Sequence, residues 1–261
     1  MWIATLFVLG TLPVPEDQPF LLRRKFATAE GERYTFTSEI KNSVELPAGS
    51  DDQSYTVSLK GTVSARCIGV DEHGVKIETT SIMDTITVSG PMAVRMPPMA
   101  KPTSGKFYGT LDILNRMKFS DAKGAVNGRS LESESVRAGG ACISPIFPAE
   151  MVTLGSTWKI TLQPSPLSDS KSPSSVEYTL SARDRLNGVA TLVILASSDM
   201  TLAVKTGIKM KMILKLRGKI WIDPTTGRTL RAEVSGTTTS KAIGQSFQAT
   251  EEETTVYIAK L

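Results

Sequence analysis

The sequence has few of the residues that most often bind metal ions in proteins. Among 261 residues there is one histidine, His73, and there are two cysteines, Cys67 and Cys142. A tetrahedral zinc site needs four ligands, so this set is too small without added carboxylates. His73 lies in the stretch Asp71–Gly74, which a hairpin turn explains more simply than a surface metal site. We therefore predict no metal and no cofactor.

Recognisable catalytic motifs are also missing. The chain has no G-x-S-x-G elbow, no phosphate-binding loop and no dinucleotide fingerprint. Two S-x-x-K matches, Ser38–Lys41 and Ser168–Lys171, lie in a predicted strand and in a Pro/Ser-rich loop, whereas the motif needs a helix N-terminus. A non-enzymatic protein is the prediction. A hydrolase whose site assembles from distant residues is the less favoured alternative.

Aromatic residues and strong charge are scarce. Only 6% of residues are aromatic, and the 30 Lys and Arg exceed the 26 Asp and Glu by a small margin. Nucleic-acid binding usually combines a basic groove with stacking aromatics, so no nucleic-acid partner is expected. No apolar run reaches the length of a transmembrane helix, so no transmembrane segment is predicted.

The first residues have the length of a signal-peptide core. Met1–Leu12 is an uncharged apolar run, although it has no basic residues before it and no clean A-x-A site after it. Residues 1–18 are therefore either a remnant signal-like segment or a first β-strand. We expect an exported bacterial protein, periplasmic or extracellular. In such a compartment Cys67 and Cys142 either form a disulfide or are two small buried hydrophobic residues.

What the sequence does have is alternating hydrophobicity, most clearly in Ile208–Gly236. Even positions from Ile208 to Ile222 are nearly all apolar, which predicts a β-strand with one buried face. Asp223–Gly227 then supplies the Pro and Gly of a hairpin loop, and a second alternating strand follows. The odd positions of the first strand carry five basic residues: Lys209, Lys211, Lys215, Arg217 and Lys219.

The rest of the chain repeats this pattern. Hairpin turns are predicted at His73-Gly74 and Asn187-Gly188, a strand at Leu111–Phe119, a first strand at Phe20–Phe26, and a polar connector at Ser130–Gly140. We predict an all-β fold with at most minor helix. Long, bent antiparallel strands and hairpins are expected to form a curved sheet or half-barrel.

Landmarks recur in the same order in the two halves of the chain. A Gly-x-x-aromatic-x-apolar-Thr motif around Tyr34 recurs around Trp158, and the two hairpin turns follow. Leu111–Phe119 then aligns with Leu214–Ile222, which places Asn115 on Gly218. This order predicts a duplicated unit, with halves at 19–140 and 141–261, or one continuous domain. The alternative is a meander of similar hairpins without common descent.

Two short motifs carry a resemblance. Phe147-Pro148-x-x-x-Val152-x-x-Gly155-x-x-Trp158 and Asp223-x-x-x-Gly227-x-x-Leu230 look like elements of uncharacterised, exported, β-rich bacterial domains. In architecture those domains resemble the half-barrel lipoprotein carriers and lipid-binding lipoproteins of the cell envelope. The resemblance implies a fold and a compartment, and it carries over no site residue.

The first candidate site is a methionine-rich surface. Methionine adapts its shape to acyl chains and hydrophobic peptides. The candidate residues lie in the Pro-rich loop at 91–105 and on the predicted hairpin; they are Met92, Met96, Met99, Met210, Met212 and Trp221. They predict a concave apolar face for a lipid or hydrophobic ligand, whereas plain core packing is the alternative.

The second candidate site is the basic face from Lys209 to Lys219. It would meet an anionic envelope surface, or it is a solvated outer face whose lysines protect the sheet. The function predicted from all of this is a non-enzymatic exported binding protein. A cell-envelope scaffold or protein-interaction domain without a small ligand is the alternative.

Overall fold

The chain is dominated by one antiparallel sheet. We describe a computed structural model, which defines residues 18–26, 31–44, 53–95, 104–121, 125–126, 129–130, 134–162, 174–206, 208–242 and 250–261. Within these residues eleven strands form the main sheet, which is curved and does not close into a barrel. The all-β prediction is confirmed.

The strands and the helix follow one another along the chain. The strands of the first half are β1 (Glu32–Val44), β2 (Tyr55–Asp71), β3 (Gly74–Ser89), β4 (Ser104–Leu111) and β5 (Met117–Asp121). A two-stranded sheet of β6 (Ala125–Val126) and β7 (Arg129–Ser130) precedes the helix α1 (Glu134–Ile143). The strands of the second half are β8 (Thr157–Thr161), β9 (Ser175–Leu186), β10 (Val189–Thr206), β11 (Ile208–Ile222), β12 (Thr229–Ala242) and β13 (Thr250–Lys260).

The sheet consists of two meanders joined in the middle. Its order is β5-β4-β3-β2-β1-β13-β12-β11-β10-β9-β8, with antiparallel pairing throughout. The first and last long strands of the chain pair with each other, with Tyr34 opposite Lys260 and Val44 opposite Thr250. The two halves therefore share one continuous sheet, and the short strands β5 and β8 form its edges. Common descent of the halves remains a prediction.

The helix α1 packs on one face of this sheet, which we call the inner face. It contacts β9, β10, β11 and β12. Along β11 the even positions Leu214, Leu216 and Ile220 are buried, while the odd positions Lys215, Arg217 and Lys219 are exposed. The period-two prediction for this strand is confirmed.

A glycine lets the helix approach β11 closely. A Cβ at Gly218 would lie 2.6 Å from the carbonyl oxygen of Cys142, at the end of α1. The structure therefore supplies a reason for glycine at this position of the strand. Strand glycines also occur where another backbone comes close, and Gly218 is such a position.

The predicted connector at Ser130–Gly140 is wrong over most of its length, because α1 begins at Glu134. Adjacent Gly139 and Gly140 weaken a helix by about 1 kcal/mol each relative to Ala, which is why the pattern read as a loop. Tertiary packing outweighs that cost: Ala138, Ala141 and Cys142 are at most 5% exposed.

The predicted strand at Leu111–Phe119 is also wrong as one element. β4 ends at Leu111, and a tight turn leads to β5 at Met117. The carboxylate of Asp112 accepts hydrogen bonds from the amides of Leu114 and Arg116, and Asn115 adopts a φ of 63°. Asn tolerates that left-handed conformation. β11 is unbroken and has no such turn. The alignment of Leu111–Phe119 with Leu214–Ile222, which was part of the predicted duplication, therefore loses its support.

The three predicted hairpins are confirmed. Asn187 and Gly188 have φ values of 51° and 82° in a two-residue loop between β9 and β10. Gly74, with a φ of 140°, begins β3 directly after the turn at 72–73. In the turn from β11 to β12, the Asp223 carboxylate accepts a hydrogen bond from the amide of Thr225 at 2.8 Å.

These hairpins and the β4–β5 turn lie at the same end of the sheet, which we call the closed end. Residues 18–26 cross this end. The predicted strand at Phe20–Phe26 is wrong, since only Phe20 forms a bridge, to Val152. The amide of Arg24 donates to Ile113 and that of Lys25 donates to Thr226, so the segment ties two turns together.

The two motifs behind the family resemblance meet at the closed end. Phe147 is 1% exposed and packs so close to Gly227 that a Cβ there would lie 2.8 Å from its ring. Trp158 donates its indole N–H to Ile146 and stacks on Tyr178 at 5.3 Å. In this structure the motif residues are therefore packing and turn residues.

Candidate ligand-binding face

The inner face differs between the two halves of the sheet. In the second half, from β9 to β12, it is filled by α1 and the segment that follows it. Leu180, Ile194, Ile220 and Ile222 have no exposed surface there. The main hydrophobic cluster of the described residues includes no residue from β1 to β5.

The inner face of the first half and of β13 is apolar and only half-buried. We call it the open face. Phe36 on β1 is opposite Ile258 on β13, and Ile86 on β3 is opposite Leu59 on β2, so these side chains share one surface. Its half-buried apolar residues are Tyr34, Phe36, Ile40, Tyr55, Val63, Met83, Ile86, Val88 and Ile258. Beside them, Val57, Leu59 and Phe107 are between 7% and 8% exposed.

A buried ionic network ends the open face at the closed end. Glu32, with 3% of its side chain exposed, accepts hydrogen bonds from Nη2 of Arg24 at 2.5 Å to each carboxylate oxygen. Nε of Arg228 lies 3.1 Å from the same carboxylate, and the hydroxyl of Tyr34 donates to it at 2.9 Å. The side chains of Arg24 and Arg228 are 7% and 10% exposed.

This network was not predicted from the sequence. One signal was present: Glu32 is in phase with Tyr34 and Phe36, so a carboxylate stands where the alternation of β1 calls for an apolar residue. Its partners Arg24 and Arg228 come from segments more than 190 residues apart in the chain. Burial, followed by the charge of Glu32, raises the pKa of Tyr34, so its hydroxyl keeps the proton that it donates.

Met92 and Met212, the two candidate methionines whose side chains the structure describes, do not share one surface. Met212 is half-buried against the main hydrophobic cluster, which matches the core-packing alternative. Met92 is half-buried at the end of β3, and its amide donates to Ser54. In the order of the sheet, β3 and β11 are separated by β2, β1, β13 and β12. Met96 and Met99 lie outside the described residues, as does the side chain of Met210.

Trp221 lies on the outer face, opposite to Met212. Its indole N–H donates to Asp184 at 2.9 Å, and this bond, followed by one from the Arg185 amide, lowers the pKa of the Asp184 carboxyl. The charged groups of Lys219 and Arg231 lie 4.6 and 4.9 Å from its rings. Trp221 is 6% exposed. It therefore belongs to a covered cation–π cluster and does not join the methionines on one face.

The basic face is exposed, and part of its charge already has partners. Arg217 forms a two-point ion pair with Asp199, at 2.8 and 3.1 Å, and these bonds lower the pKa of the Asp199 carboxyl. Lys219 is held over Trp221. Lys211 and Lys215 are exposed on the same side. The side chain of Lys209 lies outside the described residues. Whether this face meets an anionic surface remains a prediction.

The cysteines do not form a disulfide in the structure. Cys67 is half-buried in β2, and Cys142 is fully buried at the end of α1. Burial raises the pKa of the Cys142 thiol to about 12, which keeps it protonated and unreactive.

A shallow groove of about 290 Å³ lies on the outer face, across β13, β1 and β2. Its walls include Thr37, Glu39, Ser58, Lys60 and Tyr257. The groove is on the side of the sheet opposite to the open face. Within the described parts of the chain, no three His, Cys, Asp or Glu residues are grouped as metal ligands. The described helices include none that is long and apolar enough to cross a membrane.

Comparisons with known proteins add a weak structural likeness. No protein-family model matches the chain, and no curated protein matches it. One similar solved structure is described as lipid–protein interactions in lipovitellin, with a TM-score of 0.47 and 9% identity. That match covers 91% of this chain and 25% of the lipovitellin chain.

Proposed function

We propose that this protein is a non-enzymatic binding protein for a lipid or another hydrophobic ligand, and that the open face is its binding surface. The observation that supports this is the difference between the two halves of the inner face. The second half is filled by its own helix, whereas the open face presents aromatic and aliphatic side chains that stay half-buried.

An apolar surface of this kind needs a covering group. Contiguous exposed apolar patches on soluble proteins usually mark binding sites, since their exposure to water costs about 25 cal/mol per Å². Tyr34, Phe36, Ile40 and Ile86 are contiguous across β1, β2 and β3. Ser38 and Ser81 are the small polar groups among them. Such a surface suits an acyl chain, which requires area rather than directed hydrogen bonds.

The second part of the proposal is location. An exported binding protein of the cell envelope would meet lipids and hydrophobic segments that need a carrier or a docking surface. Fusing residues 1–30 to a phosphatase that is active only outside the cytoplasm tests this part. Phosphatase activity in whole cells supports export, and activity no higher than that of an unfused enzyme contradicts it.

Binding is tested with a matched pair of variants on β3. Ile86 faces the open face and the neighbouring Thr87 is exposed on the outer face. Ile86→Glu places a charge on the binding surface, so we expect bound lipid and the fluorescence of a hydrophobic dye to fall by about tenfold or more. Thr87→Glu adds the same charge on the other side and should leave both unchanged.

The measurement is native mass spectrometry of gently purified protein, with solvent extraction of the bound lipid. A wild-type protein that has no bound mass and does not bind the dye contradicts the proposal. It would favour the alternative of an envelope scaffold without a small ligand. Equal losses in Ile86→Glu and Thr87→Glu would place the binding surface elsewhere.

A further inference from the structure

Three cationic side chains lie close together on the outer face of the first half of the sheet. Arg33 on β1 is opposite Ser64 on β2. Ser64 is in turn opposite Thr80 on β3, and Thr80 is opposite Lys106 on β4. Arg66 lies two residues beyond Ser64 on β2, so it is on the same face. We call these five residues the cationic patch.

A buried carboxylate holds two of the cations next to each other. Oε1 of Glu78, whose side chain is 10% exposed, accepts a hydrogen bond from Nε of Arg66 at 2.9 Å. Nζ of Lys106 lies 3.8 Å from the same oxygen. The hydroxyl of Tyr108 donates to the other carboxylate oxygen at 3.1 Å. The charged groups of Arg66 and Lys106 therefore converge on one point, and Glu78 positions both.

The donors of the patch that face solvent are open to a ligand. The side chains of Arg66 and Lys106 are 65% and 60% exposed. Arg66 uses only Nε toward Glu78, and among the described residues its two terminal nitrogens have no acceptor. The exposed side chain of Arg33 likewise has no hydrogen bond or ion pair in the described ranges. An oxygen atom of a ligand can therefore reach all three cations from solvent.

The charge of the patch indicates the class of anion. Its three cations, together with the carboxylate of Glu78, leave a surplus of two positive charges. A phosphate monoester carries about −1.5 to −2 charges at pH 7 and offers three acceptor oxygens. A carboxylate carries a single negative charge and offers two oxygens. The hydroxyls of Ser64 and Thr80, which lie between the cations, can donate to the additional oxygen.

We propose that the cationic patch binds the phosphate group of a phosphate monoester. The two terminal nitrogens of Arg66 donate side by side to two phosphate oxygens, which is the geometry that a guanidinium favours. Lys106 and Arg33 neutralise the remaining charge from either side. The patch is on the side of the sheet opposite to the open face, so this inference is independent of the proposed function. It is also separate from the basic face of β11, because β1, β13 and β12 lie between β2 and β11.

The test is an NMR titration of the wild-type protein with inorganic phosphate, at an ionic strength held constant with sodium chloride. We expect a saturable shift of the Ser64 and Thr80 amide signals, with a Kd on the order of 1 mM. Acetate should bind about tenfold more weakly, because it carries one negative charge. Equal shifts with phosphate, acetate and chloride would overturn the site, since they would report a general effect of salt.

Two variants assign the binding to the patch. Arg66→Gln and Lys106→Gln are each expected to weaken phosphate binding by about three- to tenfold. Lys60→Gln is the matched control, because Lys60 is exposed on the same face of β2 outside the patch. In Lys106→Gln the Glu78 carboxylate keeps its bond from Arg66, so this variant tests the proposal even when Arg66→Gln does not fold. Phosphate binding that is the same in Lys106→Gln and Lys60→Gln overturns the site.

Vesicle flotation identifies the source of the phosphate group. Phosphatidic acid has a phosphate monoester head group, whereas phosphatidylglycerol has a diester with one negative charge. Preferential binding to phosphatidic acid vesicles that is lost in Lys106→Gln would support the site and assign it to a lipid head group. Equal binding to both vesicles, together with saturable phosphate binding, would support the site and assign it to a soluble phosphorylated compound.

Discussion

Strands with the same alternating pattern are buried to different extents in the two halves of the inner face. β11 buries Ile220 completely beneath α1, whereas β1 leaves Ile40 half-buried on the open face. Both strands alternate, and both belong to one sheet. The difference comes from α1 and the segment after it, which lie over β9 to β12. Among the described residues, the apolar face is core where α1 packs on it and is half-buried where α1 does not reach.

The largest expected effect tests this difference with one substitution made in each half. Ile220→Ala removes a side chain with no exposure from the main cluster and should lower the free energy of unfolding by about 4 kcal/mol. Ile40→Ala should cost about 1 kcal/mol, because that side chain is only partly buried. Urea denaturation followed by circular dichroism measures both. Equal losses would show that the open face is packed as tightly as the core.

The close approach of α1 to β11 is tested at two glycines. Gly218→Ala forces a Cβ to 2.6 Å from the Cys142 carbonyl oxygen, so α1 must shift, at a cost of about 2 kcal/mol. Gly139 in α1 has nothing within 4 Å of an added Cβ, and Gly139→Ala should stabilise the helix by up to about 1 kcal/mol. Thermal melting of both variants gives the comparison. A neutral Gly218→Ala would contradict the tight helix–sheet contact.

Two tyrosines, one in each half of the sheet, sharpen the comparison further. Tyr178 donates to the Ala141 carbonyl and accepts from the Ile146 amide, so Tyr178→Phe leaves two backbone groups of the filled half without this partner. We expect a loss of about 2 kcal/mol. Tyr34→Phe removes one hydrogen bond to Glu32, which Arg24 and Arg228 still hold, and should cost about 1 kcal/mol. Chemical denaturation measures both free energies of unfolding. A larger loss for Tyr34→Phe than for Tyr178→Phe would contradict the conclusion that the second half of the inner face is the more tightly packed.

The smallest expected effect is on pH dependence, at one turn from each half. Burial raises the pKa of Asp223, but hydrogen bonds from Thr226 and Thr225 outweigh it and leave the pKa below its usual value. The His73 amide and then Lys76 lower the pKa of Asp71. A carboxyl with a depressed pKa stabilises the fold above about pH 4 and loses this contribution as the pH falls through its folded pKa.

Asp223→Asn and Asp71→Asn should therefore each flatten the decline of stability below about pH 4. The effect should be larger for Asp223, whose partners hold a partly buried turn, than for exposed Asp71. Melting temperatures between pH 2 and pH 7 measure it. Unchanged profiles would show that these turn hydrogen bonds do not distinguish the folded chain from the unfolded chain.

Much of the fold could be predicted from local pattern. The faces of β11 follow from its alternation, and the turns at Asn187-Gly188 and Asp223–Gly227 follow from residues that accept a left-handed backbone or cap their own amides. The turn at 112–116 was missed because Leu111–Phe119 keeps an alternating pattern through it. An Asp followed by Asn three residues later was the available signal.

The candidate site was much less predictable. The adaptable shape of methionine predicts ligand contacts, but Met212 packs against the core and Trp221 lies on the outer face, because odd and even positions of a strand point to opposite sides. The network of Arg24, Glu32 and Arg228 joins three distant segments, and no local pattern connects them. The one signal of this network in the sequence is Glu32, a carboxylate at a position of β1 where the alternation predicts an apolar residue.

The sequence by itself determined that each strand has an apolar side and where most hairpins turn, because alternation and turn chemistry act within a few residues. Only the tertiary structure decided which apolar side would be covered. The pairing of β1 with β13 merges two meanders into one sheet, and a ten-residue helix with a Gly-Gly pair covers only one half of it. Whether a face is covered depends on contacts between segments far apart in the chain. Such contacts produce no periodic pattern of apolar residues that could be recognised in the sequence.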